Sequence, residues 1–141
     1  MPAAHLVLLF WIAVAPALAR ADLVLVAHPG SGIERLTRDE VINIYLGRYR
    51  LLDSGLNAEP LDHPADAEAR YRFYRSLVNK SPAEINAYWA RLIFSGKTRP
   101  PRVVGSVERM LELVAASPGV LAYVDRSQAD ARVKIVFDVS D

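Results

Sequence analysis

Leu23 to Ala27, within the stretch DLVLVAH, is a run of apolar, β-favouring residues that ends abruptly at Pro29-Gly30-Ser31-Gly32. No polar residue alternates with the apolar ones. The run therefore reads as a strand buried on both faces and ending in a turn, which is the signature of an interior strand rather than an edge. A strand with no face for water must be covered above and below by other elements. The chain therefore has to supply helices for both sides of a sheet.

The remaining sequence supplies them. Thr37-Arg38-Asp39-Glu40 has capping-box spacing, and Val41, Ile42, Ile44, Tyr45 and Leu46 follow as an apolar helical face that stops at Gly47. Tyr49 to Leu52 and Ala58 to Leu61 flank Asp53-Ser54-Gly55, which predicts a hairpin or loop excursion without a long element. Pro64 to Val78 is predicted as a helix whose stripe is Ala67, Tyr71, Tyr74 and Val78, widened by Phe73 and Leu77. Ser81-Pro82-Ala83-Glu84 combines a second capping box with proline at the first helical position. The helix it opens should run to about Ser95, with Gly96 as a left-handed C-cap. Pro100-Pro101 forces an extended connection. Val107, Met110, Leu111 and Val114 then repeat at helical spacing behind Ser106, and Val120 to Val124 and Val133 to Val139 close the chain as strands. The order β, α, excursion, α, α, α, β, β predicts an α/β fold with a mixed sheet flanked by helices, because strands separated by helices permit parallel pairing.

Composition limits what such a domain can do. The chain has 141 residues, 17 Lys+Arg and 16 Asp+Glu, a balance too even for binding nucleic acid through phosphate neutralisation. Zero cysteines exclude disulfides, thiolate metal sites and a thiol nucleophile. Leu6 to Ala19, LVLLFWIAVAPALA, is an apolar run followed by the small-residue sites Ala17-Leu18-Ala19 and Ala19-Arg20-Ala21. It is shorter than the roughly 20 residues needed to span a bilayer and is interrupted by Pro16, so it predicts a cleaved secretory signal rather than stable membrane insertion. The expected organisation is a signal peptide over residues 1–21 and one domain over 22–141.

The segment Leu36-Thr37-Arg38-Asp39-Glu40-Val41-Ile42-Asn43-Ile44-Tyr45-Leu46-Gly47-Arg48 resembles a segment of periplasmic phosphate-binding proteins of ABC transporters. In the same order, Arg70-x-x-Phe73-Tyr74, Lys80-Ser81-Pro82, Ala87-Tyr88-Trp89-x-x-Leu92-Ile93-Phe94-x-Gly96-Lys97 and Pro118-Gly119-Val120-Leu121-Ala122-Tyr123-Val124 are similar to short single-lobe members of that family. The resemblance implies a type-2 periplasmic-binding-protein-like lobe exported to the periplasm; it does not imply that phosphate binding survives, and the candidate partners are a phosphate-like small anion and an envelope transporter or sensor protein. It implies no cofactor. The sequence departs from the pattern in one telling place. Where phosphate-transport members carry a Ser-Gly-Thr segment ahead of a helix, this chain has Pro64-Ala65-Asp66-Ala67-Glu68-Ala69, and two carboxylates there repel an oxyanion. Ala122 also stands where the family has glycine.

The candidate ligand-binding residues are Ser31, Gly32, Thr37 and Arg70. The turn at Ser31 and Gly32 can aim backbone N–H groups and a hydroxyl at an anion, although a plain turn explains it as well. Thr37 can cap its helix and still border a ligand. Arg70 falls within the apolar stripe of its helix. It must therefore snorkel, pair with an acid such as Asp62 or Asp66, or face a bound anion. His28 with Asp62-His63 is a weak metal reading, since the spacing lacks any H-x-x-x-H pattern. Lys97, Arg99 and Arg102 crowd a proline-bearing loop that can attract an acidic partner or anionic lipid, or remain solvated. No nucleophile or acid–base pair stands out, so two readings result: a non-catalytic solute-binding domain, or an interaction module that kept the lobe and lost its solute.

Overall fold

The computed structural model describes residues 22–140 together with Pro2. The expected signal peptide lies outside the described residues apart from Pro2. The sheet in the described part has the order β3-β2-β4-β1-β5, with β1 at Leu23–Ala27, β2 at Glu59–Asp62, β3 at Arg102–Val103, β4 at Val120–Asp125 and β5 at Lys134–Asp138. β1 is indeed interior. It runs antiparallel to β4 (Leu25 opposite Tyr123) and to β5 (Leu25 opposite Phe137), whereas β2 is parallel to both β3 and β4.

The unbroken apolar run of β1 serves two cores because successive side chains point to opposite faces. Leu23, Leu25 and Ala27 join Leu121 and Tyr123 under α1 (Arg38–Tyr45), α2 (Glu68–Val78) and α3 (Pro82–Ser95). Val24 and Val26 join Leu61, Val120, Ala122 and Val124 against Met110, Leu111 and Val114 of α4 (Val107–Ala116). Each of these fully buried aliphatic side chains contributes roughly 1.5–3 kcal/mol.

The helix signals act as their residue types require. Thr37 Oγ1 accepts from the Glu40 N–H at 3.2 Å while Glu40 Oε1 accepts from the Thr37 N–H at 3.3 Å, completing a reciprocal cap. Ser81 caps α3, which ends at Gly96 with φ +70°. Ser106 caps α4 by accepting from the Arg109 N–H.

Two expectations need correction. α2 begins at Glu68, not at Pro64, since Pro64 to Ala67 form a turn closed by the Ala67 N–H donating to the Pro64 carbonyl at 3.0 Å. Its buried face is Arg70, Phe73, Tyr74 and Leu77, so Tyr71 is exposed. The face is set by Phe73, whose ring stacks on Tyr123 with centroids 3.8 Å apart and meets Tyr45 edge-on at 4.8 Å. The excursion after α1 also contains a true strand. Only Leu51 and Asn57 bridge as a hairpin, while Glu59–Asp62 enters the sheet as β2.

β2 docks beside β4 only because Gly119 has no side chain. A Cβ on Gly119 would lie 2.3 Å from the Asn57 carbonyl oxygen, at the point where the Glu59 N–H donates to the Gly119 carbonyl. Gly119→Ala should lower stability by about 2 kcal/mol through this backbone clash. Gly96→Ala, which meets nothing and bears only the left-handed strain, should lose about 1 kcal/mol. Urea midpoints of the two variants measure the difference.

Candidate functional site

β2 ends in Leu61-Asp62, followed by His63, and its last residue brings a carboxylate into the core at the C-terminal ends of the parallel strands. In open α/β sheets this is the end where ligand-contacting groups collect. Asp62 is 3% exposed. Its Oδ1 accepts from the His63 N–H at 2.8 Å and from the Tyr123 hydroxyl, and its Oδ2 accepts from the Tyr74 hydroxyl at 2.7 Å. Arg70 completes the set, with Nε 3.5 Å from Oδ2. A buried carboxylate persists only with such partners, and here α2 provides two of them, β4 one, and the Asp62 peptide's own successor the last.

Tyr74 lies one helical turn after Arg70, so its ring sits under the guanidinium, 5.2 Å from centroid to Cζ. His63 is also buried. Its Nε2 faces the Tyr123 carbonyl at 2.7 Å and must donate to it, since a carbonyl only accepts. Tyr45 donates from α1 to the Leu61 carbonyl at 2.9 Å and closes the floor of the cluster. Burial first, and then the Asp62 charge, push the phenols of Tyr45, Tyr74 and Tyr123 well above the ordinary tyrosine range.

The Arg70 guanidinium is not exhausted by these contacts. Nη2 donates to the Asn86 Oδ1 at 3.3 Å, while Nη1 is buried with no hydrogen-bond partner among the described residues. Burial in the stripe thus reflects an ion pair with Asp62, one of the acids named from sequence. Asp66 and Glu68 are exposed at the start of α2, where Ala67 is an N-cap with no side-chain hydrogen bond.

The other sequence candidates lie elsewhere. Ser31 and Gly32 follow the C-terminal end of β1, which antiparallel pairing sets beside the N-terminal end of β4, away from Asp62 and Arg70. Ser31 is buried and its Oγ accepts from the Ile33 N–H at 3.2 Å, while Gly32 is exposed with φ +78°. Thr37 is exposed and borders a shallow hollow with Arg35, Arg38, Phe137 and Asp138 at the β5 edge. The four candidates therefore do not converge on one cavity. His28, at the end of β1, accepts from the Gly30 N–H at its Nδ1 and stands apart from His63. Among the described residues no group of three His, Asp or Glu is placed to hold a metal, and no helix is long and apolar enough to cross a membrane.

Sequence reasoning named Asp62 as a partner for Arg70 and Asp62-His63 as part of a metal reading, but it left Tyr74 and Tyr123 out of the site. Nothing in the sequence pairs Tyr123 with Asp62, 61 positions apart.

The arrangement is an α/β fold, a mixed five-stranded sheet with helices on both faces and polar groups at the ends of its parallel strands. The same fold occurs in an ABC-type phosphate transport receptor of Vibrio cholerae (20% identity, TM-score 0.67, covering 82% of this chain and 45% of that one). It also occurs in a Clostridium perfringens protein solved with bound phosphate (16% identity, TM-score 0.65, 82% and 44% covered), and in PstS of Borrelia burgdorferi (15% identity, TM-score 0.64, 82% and 46% covered). The chain therefore spans less than half the length of these proteins. No protein-family model matches the sequence, and no curated protein matches it significantly.

Asp62→Asn keeps the shape of the carboxylate but strands the Arg70 charge, and should cost about 3 kcal/mol in urea denaturation. The phenols give a pH dependence of known sign. Their folded-state values are raised, so the stabilisation is complete below about pH 10, the unfolded-state tyrosine value, and is lost as pH rises above it. Denaturant midpoints should hold steady from neutral pH to about 9 and fall by pH 11. In the folded protein three of the six tyrosines should resist conversion to tyrosinate.

Proposed function

We propose that the chain is a non-catalytic, exported binding domain that takes a small anionic solute at the Arg70 end of the sheet. The observation that carries this reading is the Arg70 Nη1 atom. A guanidinium N–H buried without an acceptor costs roughly 1–3 kcal/mol, and an oxygen of a phosphate, sulfate or carboxylate would relieve it. Likeness of fold to phosphate-transport proteins supports the same class of ligand. Export rests on the apolar leader with its Ala-x-Ala sites, and the partner that receives the solute would be an envelope transporter or sensor. Ser31, Gly32 and Thr37 enter this proposal as separate polar positions, Ser31 and Gly32 at the far end of the sheet and Thr37 at the β5 edge, to be tested independently of Arg70.

A second reading, a periplasmic module that binds protein and no solute, draws support from a specific feature. Asp62 already neutralises Arg70, and Asp66 and Glu68 stand where an oxyanion would need hydroxyls.

Titration calorimetry with phosphate, sulfate and small carboxylates discriminates between them. On the first reading the protein binds one of these saturably, and Arg70→Lys, checked for folding by circular dichroism, binds at least about tenfold more weakly because the forked donor geometry is lost. Absence of heat with every oxyanion, together with a defined envelope protein recovered by cross-linking, would establish the second.

A further inference from the structure

The C-terminal end of α3 carries a feature that neither reading uses. Phe94 is 97% exposed and Ile93 next to it is 56% exposed, and Leu51, which follows the Arg50 that shares a hollow with Ile93, is 63% exposed. An aromatic ring offered almost wholly to water is far from its usual place in a soluble domain, and single exposed apolar residues rarely gather in this way. The segment that follows carries charge of one sign. Between Glu84 and Glu108 the sequence has no acid but four cations, Arg91, Lys97, Arg99 and Arg102. The ion pairs formed by the described residues include none to Lys97, Arg99 or Arg102.

Arg50 links the loop to this cluster. Its Nη2 donates to the Arg99 carbonyl at 2.5 Å, and it lines a shallow hollow with Ile93, Lys97 and Arg99. The Arg50 Nε is buried without an acceptor. Desolvation, and after it the neighbouring Arg99 charge, hold the Arg50 guanidinium below the ordinary arginine range, so these cations repel one another until an anion enters.

We propose that this surface, with Phe94 and Ile93 at its tip and Arg50, Lys97, Arg99 and Arg102 around them, docks the protein onto an anionic lipid bilayer. The apolar tip enters the interface while the cations meet headgroup phosphates. A protruding apolar point ringed by cations of one sign suits a flat, uniformly anionic surface. A protein partner would instead be met by mixed charge and a receiving pocket. A second copy of the chain is disfavoured because two such patches repel.

The absence of cysteine makes the test direct. Ala90 is exposed one turn before Phe94 on α3, so Ala90→Cys, coupled to an environment-sensitive dye, reports on this surface and not on the apolar leader. Added to the full chain, vesicles of phosphatidylglycerol and phosphatidylethanolamine should blue-shift the dye, and phosphatidylcholine vesicles should not. Phe94→Ser and the double variant Lys97→Glu/Arg99→Glu alter only exposed positions and should each weaken the apparent affinity by about tenfold or more. Unchanged thermal melting would show that both remain folded. No blue shift with anionic vesicles, a shift equal in phosphatidylcholine, or a shift unaffected by either variant overturns the proposal. Quenching by free inorganic phosphate or by an acidic protein, without vesicle binding, would overturn it in favour of those ligands.

Discussion

A single buried carboxylate organises one end of this domain. Asp62 takes hydrogen bonds from Tyr74, Tyr123 and its own neighbouring peptide, and an ion pair from Arg70, so one residue ties β2, β4 and α2 together. Charge drawn this far from water must be matched, and each donor is fixed in turn by packing: Tyr123 by the stacked ring of Phe73, Tyr74 by its position under Arg70. The phenols gain geometry from Asp62, and Asp62 gains solvation from the phenols. Neither half is stable without the other, which is why the cluster reads as the anchor of the fold as much as a place for a ligand.

That dual role bears on function. Solute-binding proteins keep polar groups at strand ends to receive a ligand, and the structural neighbours named for phosphate transport share this architecture. At that end of this chain Arg70 is committed to Asp62 through Nε and to Asn86 through Nη2, while Nη1 has no partner among the described residues. Arg70 thus presents one nitrogen without a hydrogen-bond partner among the described residues, and not an open cradle of hydroxyls. The acidic residues at the start of α2 sharpen that contrast.

The cationic, apolar end of α3 belongs to a different part of the molecule, beyond the hairpin loop and next to the edge strand β3. That end and the Asp62 cluster are joined through α3 and β3: Asn86 of α3 accepts from Arg70, and Arg102 of β3 lies opposite Leu61 of β2.

Local chemistry was legible in the sequence wherever it is settled within a few residues. The caps at Thr37, Ser81 and Ser106, the glycine stop at Gly96 and the interior character of β1 follow from hydrogen bonds and side-chain periods that need no partner elsewhere in the chain. The family resemblance, carried by short motifs along the chain, anticipated the fold. What the sequence could not decide was which residues face each other across it. The rotation of α2 that exposes Tyr71, the entry of Glu59–Asp62 into the sheet, and the meeting of Asp62 with Tyr123 are settled by how strands register and how rings stack. Those are long-range choices made by the whole core at once, and no window of sequence contains them.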